Sequence, residues 1–284
     1  MKLYKYWSRG SALVDVDGRS WDLKCHGGSN VSLEDAQRRA TEIAERSACA
    51  MRAGDWQGRY PYSERPLREE IIDDLSIHGE RVAAVTRNSY GSLILNTTGA
   101  LFIDIDYPEK TWDVASGGFL ARLFGKSPSP KVDPDREILA RIYAAAEAQR
   151  GLGLRVYRSA NGFRCLATDR AYDPTAAETL TLLERFGCDP LYVKLCKSQE
   201  CFRARLTPKF WRCNSPRPPS RFPWASAKEE SKYRDWERSY HKQTEGYTTC
   251  ILVAEIGKTS VCESLEPIVA LHDRFACTLS ERLA

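Results

Sequence analysis

Two aspartates spaced two apart, in Phe102-Ile103-Asp104-Ile105-Asp106, carry the clearest chemical signal of the chain. A β-strand repeats every two residues, so Asp104 and Asp106 share one face while Ile103 and Ile105 point to the other. Adjacent carboxylates on an apolar strand are unfavourable unless something offsets them, and a divalent cation is the usual partner. Mg²⁺ or Mn²⁺ held in this way polarises phosphoryl groups. The competing reading places both aspartates at a strand end before Tyr107-Pro108, solvated or capped. Asp189 is the third carboxylate expected at such a metal site, against a plainer role in starting a turn at Asp189-Pro190. Glu109 is a further carboxylate nearby, more naturally exposed.

Phosphate chemistry also needs fixed cations, and arginine supplies them as a planar fork. Leu191–Arg221 holds eight basic residues against the single acid Glu200, interleaved with Tyr192, Phe202, Phe210 and Trp211. Cations beside stacking surfaces suit nucleic acid; a solvated basic surface without a specific partner is the alternative. Asn161-Gly162 is a hairpin signal, and a two-residue turn there puts Ser159 opposite Arg164. Ser159, Arg164 and the Arg203/Arg205 pair are the expected phosphate contacts, with Lys194 and Lys209 as supporting charges. Internal ion pairing of the same arginines with Asp104, Asp106 or Asp189 competes with this reading. Arg87-Asn88 and Tyr90 lie upstream and could edge the same cleft.

Other chemistries lack their signatures. There is no Walker or dinucleotide-binding glycine loop and no nucleophile elbow. Four histidines occur, none at metal-ligand spacing, and His272-Asp273 reads as a polar patch on the last helix. The ten cysteines read as reduced, packed thiols. Cys188, Cys196, Cys201 and Cys213 could bind zinc in principle, but their spacing matches no finger. A net charge of +4, 42% hydrophobic and 28% charged residues describe an ordinary globular protein. No apolar run is long enough for a membrane span, and no secretory signal opens the chain, so a cytoplasmic location is the default expectation. Oligomeric state is not legible.

The elements that must position these residues form an α+β protein. Residues 1–100 read as an α+β module packing on the core: strands at Lys2–Trp7, Ala12–Val16 and Ser20–Cys25, and a helix from Ser32 towards Gly54. A weaker helix at Leu67–Leu75 and extended Val82–Thr86 and Ser92–Asn96 follow. Residues 107–132 read as a loop or insertion, with Gly117-Gly118 and Ser127-Pro128-Ser129-Pro130. Asp133-Pro134 starts one helix and Asp173-Pro174 another, and the next strand is Leu191–Leu195, Cys201–Leu206 or both. Residues 101–213 then give β-α-β-β-α-β, a ferredoxin-like or RRM-like, palm-like core with the Asp104 strand at the centre of a four-stranded sheet and one open face. Residues 214–284 form a proline-rich connection and a helical C-terminal extension, with helices near Lys228–Lys242 and Leu265–Cys277 and an ambiguous Cys250–Glu255.

Leu101–Asp106, Tyr157–Cys165 and Cys188-Asp189 resemble the three short motifs of the archaeo-eukaryotic primase superfamily. That resemblance covers about 100 residues. It implies an RRM-like catalytic core, a divalent metal at Asp104, Asp106 and Asp189, and contacts from the hairpin to a nucleotide triphosphate. Arg164 stands where the second motif usually ends in histidine. The whole chain is also similar to a group of uncharacterised bacterial proteins, which implies a full-length family and no function. The leading expectation is therefore a metal-dependent enzyme acting on nucleotides or nucleic acid, by primase-like nucleotidyl transfer or related phosphoester chemistry. The alternatives are a non-catalytic RNA- or DNA-binding protein using the sheet face and the basic stretch 191–221, and an interaction scaffold whose charges pair internally.

Overall fold

The computed structural model describes residues 1–55, 67–108 and 133–284. Glu109, Gly117-Gly118 and the Ser127–Pro130 run lie outside the described residues. Within them the chain is α+β, built on three antiparallel sheets. β1 (Tyr6–Val16) and β2 (Arg19–Ser29) form a long hairpin at Asp17-Gly18, and α1 (Leu33–Arg52) packs on it. Ser32 caps α1 by accepting from the Asp35 amide. A buried stripe of Ala36, Ala40, Ala44 and Ala48 at i,i+4 spacing forms its inner face.

The second sheet has the order β3 (Glu70–Ile77), β4 (Glu80–Arg87), β5 (Leu93–Thr97), β9 (Phe202–Arg205). The helix expected over Leu67–Leu75 is thus a strand: pairing with β4 from Glu70↔Arg87 to Ile77↔Glu80 overrides its local pattern. Arg87 at the end of β4 binds Glu70 at 2.5 Å and also reaches Glu237 on α5 (Ala227–Thr244), and Arg234 of α5 binds Glu70 and Glu237. Burial alone would raise the Glu237 pKa. The His241 hydrogen bond and the charges of Arg87 and Arg234 outweigh it and hold this carboxyl down at about 2. A depressed carboxylate stabilises the fold above its unfolded pKa and loses that contribution as pH falls through the folded one. The network should therefore contribute on the order of 3 kcal/mol that disappears between about pH 5 and pH 2. Acid unfolding of Glu237→Gln, followed by circular dichroism, should show a flatter decline over that window than the parent protein. Parallel curves would refute the assignment.

The third sheet, in the order β10 (Cys250–Gly257), β7 (Gly153–Ser159), β8 (Gly162–Ala167), β6 (Phe102–Asp106), carries the aspartates. Its order differs from the expectation: β6 is a terminal strand, and the fourth place is filled at the opposite edge by β10. β9 pairs with β5 instead, through Ile94↔Arg205 to Thr97↔Phe202. The free edge of β6 is not left bare. The Asp189 amide donates to Asp104 O (3.0 Å), and the Tyr192 hydroxyl, on α4 (Pro190–Gln199), lies 3.1 Å from Phe102 O and 3.0 Å from Arg203 O. Those contacts satisfy backbone groups that a neighbouring strand would otherwise pair.

Helices cover both faces of this sheet. α2 (Pro134–Glu147), with Asp133 as N-cap and Pro134 at N1, contributes Ile138 and Ile142 to the main core. Its Asp135 binds Arg158 at 3.0 Å. α6 (Glu266–Ala276) lies over the other face, where His272 meets the rings of Phe102 and Tyr157. The open face expected for the core is therefore at least partly closed by α6. Asp173-Pro174 does not start a helix directly; α3 begins only at Ala177 (Ala177–Arg185), and Asp173 accepts from the Thr175 amide and hydroxyl, both at 2.7 Å, in the turn before it. No described helix is long and apolar enough to cross a membrane.

Candidate functional site

Strand register brings the first pair of functional groups together. Asp104 on β6 is the direct partner of Arg164 on β8, which in turn faces Tyr157 on β7. Directly opposed residues share a face, so Asp104, Arg164 and Tyr157 form one row, and Asp106, Gly162 and Ser159 the next. The loop is Ala160-Asn161, one residue earlier than the Asn161-Gly162 turn expected, so Arg164 faces Tyr157 rather than Ser159. Gly162 explains the shift. Its φ of +143° and a Cβ that would sit 2.0 Å from Ile105 O make it the residue that lets β8 close on β6 beside Asp106.

Asp104 keeps 41% of its side-chain exposure but stands among packed charges. Desolvation pushes its carboxyl above the usual carboxylate range, Asp106 and Asp189 push the same way, and Arg164 and Arg205 oppose them. The Arg164 Nε is 4.0 Å from Asp104 Oδ1. Asp106 is exposed and accepts from Asn161 Nδ2 at 3.0 Å. Asp189 is half-buried and caps α4, its Oδ1 accepting from the Leu191 amide at 3.0 Å. Asp104, Asp106 and Asp189 do not bring three oxygens within 4.8 Å of one another; among the described residues that compactness is found at His272, Asp273 and Cys277. A cation at this end would draw on at most two of the three carboxylates and would need the rest of its shell from elsewhere, as Mg²⁺ commonly binds.

Around this carboxylate end stand Arg164, Arg205, Lys209 and Arg212. Arg164 is buried, and its Nη1 donates to Arg205 O at 2.9 Å. Burial, Arg164 and Arg212 lower the Arg205 pKa to about 10, and Asp104 only partly offsets them. Lys209 is lowered by burial, Arg205 and Arg212, against the pull of Asp106 and Asp104. Arg205 Nη1 and Arg212 Nη1 are buried without a hydrogen-bond partner. Cations that repel one another with donors unspent favour a multiply charged anion among them.

The other expected contacts separate from this group. Arg203 is a correction: it shares a face of β9 with Arg205, yet its Nη2 is bound by Glu69 at 2.8 and 2.9 Å and its Nη1 donates to Asn96 Oδ1 at 2.5 Å. It is a structural ion pair, though with Glu69 rather than with Asp104, Asp106 or Asp189, the partners the internal-pairing reading expected. Ser159 Oγ is taken up in the hairpin turn, donating to Gly162 O (3.2 Å). Lys194 stays on the exposed side of α4. The four central cysteines are buried free thiols that form no metal-holding group with one another, and burial raises Cys196 to about 12 and Cys201 to about 11.

Two groups were not read as part of the site. Arg212 was visible only as one charge in the basic stretch. His272, expected in a polar patch on the last helix, is fully buried. It lies on the α6 stripe with Ile268, Val269 and Ala276, and that periodicity was the available signal. Its Nε2 is 3.4 Å from Arg164 Nη1 and its Nδ1 2.9 Å from Asp273 Oδ1. Arginine can only donate, so Nε2 accepts and Nδ1–H donates to Asp273. Arg155 Nη1 (2.7 Å) and the Tyr157 hydroxyl (2.8 Å) hold the same carboxylate. This buried chain fixes the guanidinium of Arg164 beside Asp104. No family model, no curated protein and no solved structure matches the chain.

Proposed function

We propose that the carboxylate end of β6 binds a nucleotide polyphosphate with Mg²⁺ or Mn²⁺, and that the protein carries out primase-like nucleotidyl transfer or a related phosphoester reaction. The observation that carries this reading is the mutually repelling group Arg164, Arg205, Lys209 and Arg212, two of them with an unpartnered guanidinium nitrogen, of which Arg164 lies 4.0 Å from Asp104 and Arg205 and Lys209 act on the same carboxylate end. The arginine forks and Lys209 hold phosphate oxygens in place. Asp104 and Asp106 supply the cation's protein ligands, and Asp189 adds negative charge behind them. When bound, the cation supplies Lewis-acid polarisation of the phosphoryl group. The strand order β6-β8-β7 is that of the first, third and second strands of a ferredoxin-like core, which supports reading this sheet as an RRM-like core whose fourth strand has left to pair with β5.

Calorimetric titration with ATP and MnCl₂ tests the reading. Binding should be metal-dependent and lost in Asp104→Asn and Asp106→Asn. No binding to the parent protein would refute it. Salt-sensitive binding of a single strand that survives both substitutions would favour the non-catalytic nucleic-acid reading, which the exposed Lys194, Lys197, Arg217 and Arg221 of the basic stretch also support.

A further inference from the structure

We infer that Trp211, braced by Phe210 and Tyr90, is the surface on which a nucleobase stacks while the neighbouring cations hold its phosphate. The inference rests on the phosphate-clamp reading above and extends it to the base.

The basic stretch has four aromatic residues with different fates. Phe202 is buried in β9, Tyr192 joins α4 to the edges of β6 and β9, and Phe210 packs against a second small core. Trp211 alone of the four is exposed, at 47%, and it meets Tyr90, itself 43% exposed, edge to face at 5.3 Å. An exposed tryptophan in contact with an exposed tyrosine forgoes hydrophobic burial that a folded chain ordinarily captures.

Both rings stand on rigid supports. Trp211 sits in a single 3-10 turn, Phe210–Arg212, closed by the Arg212 amide to Lys209 O at 2.9 Å and by the Ser215 amide to Phe210 O at 2.9 Å. Phe210 packs edge to face on the indole at 4.8 Å. Tyr90 precedes Gly91, whose φ is +81° and whose Cβ would lie 2.1 Å from the Trp236 ring, so the Tyr90 turn rests directly on α5. A preorganised ring pair loses little conformational entropy on binding.

Charge decides the occupant. Lys209 Nζ lies 5.3 Å from the Trp211 ring centroid and within the field of Arg205, Arg212, Asp104 and Asp106. An apolar peptide would bury these cations unpaired, whereas a nucleotide presents a flat base to the indole and an anion to the ammonium. The base can come from a free nucleoside triphosphate or from a nucleic-acid strand, and the chemistry at Trp211 is shared.

Three probes separate the parts: inorganic tripolyphosphate, ATP, and a short single-stranded oligothymidylate, each titrated with Mn²⁺ present against the parent protein, Trp211→Ala and Trp211→Phe. Trp211→Ala should weaken ATP, the oligonucleotide or both by about ten-fold and leave tripolyphosphate unchanged. Trp211→Phe should restore most of the loss. An effect on ATP alone assigns the platform to the free nucleotide, and an effect on the oligonucleotide alone assigns it to a strand. Equal loss of all three probes in Trp211→Ala, or no loss of any, overturns the inference while leaving the phosphate clamp standing. Failure of the parent protein to bind any probe overturns both.

Discussion

Arg205→Met is expected to raise the melting temperature of the free protein while lowering its affinity for tripolyphosphate and ATP. The two effects have opposite signs because the residue is a cost to the empty fold. Its Nη1 is buried without a hydrogen-bond partner, and burial, Arg164 and Arg212 bring its pKa down to about 10. Methionine fills much of the same volume without charge, and replacing poorly compensated buried ions by apolar groups stabilises proteins by about 1–4 kcal/mol. The lower end of that range corresponds to a rise of about 2 °C in a chain of this size. A hydrogen bond to a charged partner is worth about 1.5–3 kcal/mol, so the lost phosphate contact should weaken binding about 10–100-fold. Thermal melts with and without tripolyphosphate read both effects at once: the variant starts higher and gains less from the ligand. A lower melting temperature in the free variant would show that Arg205 supports the fold, and the clamp would lose its central member. Arg205→Lys should fall between the two, since it keeps the charge and loses the planar fork.

The site was legible in the sequence where the signal was local, and obscure where it depended on a distant partner. Asp104 and Asp106 declare themselves within five residues, and the pairing of β6 with β8 sets Asp104 beside Arg164. Arg203 and Arg205 look equivalent along the strand. What separates them is Glu69, 134 residues away from Arg203, and no spacing within the basic stretch could reveal it. Turn chemistry misled in a similar way. Asp-Pro occurs before α2, before α3 and before α4, yet only Asp133 and Asp189 cap a helix directly. At Asp173 the carboxylate takes the same amide two residues on and adds the Thr175 hydroxyl, yet it closes only a turn and the helix starts at Ala177, a difference that the Asp-Pro pair itself does not encode. Conversely, Asp189-Pro190 starts a helix through Gln199 where a strand over Leu191–Leu195 was one expectation. The hairpin register slipped by one residue because the glycine is needed for contact with Ile105 rather than for the turn itself. His272 shows the complementary limit: the apolar stripe of α6 places it inside, but only the fold shows that it meets Arg164.

Arg203→Met should have the contrary outcome to Arg205→Met, two residues along the same strand. Glu69 and Arg203 are both buried, and their pair is closed by Asn96 and Thr86: the Thr86 hydroxyl donates to Glu69 Oε2 at 2.5 Å, and Asn96 Nδ2 donates to Thr86 Oγ1 at 2.9 Å. Removing the guanidinium strands a buried carboxylate, at a cost of about 3–5 kcal/mol. The corresponding fall in melting temperature is on the order of 10 °C. Removing both charges together is a smaller perturbation, because no unpaired ion remains, so Glu69→Leu combined with Arg203→Met should recover most of the loss. The recovered double variant also isolates the role of Arg203 in binding. It should titrate with tripolyphosphate as the parent protein does, because the guanidinium it lacks was already committed to Glu69 and Asn96. If the double variant were stable but failed to bind, and Arg205→Met bound normally, the clamp would have to be rebuilt around Arg203. That would require Glu69 to release its partner when phosphate arrives. Arg203 Nη2 donates to both Glu69 oxygens within 2.9 Å and its Nη1 is held by Asn96, a set of charge-assisted bonds that argues against such a release.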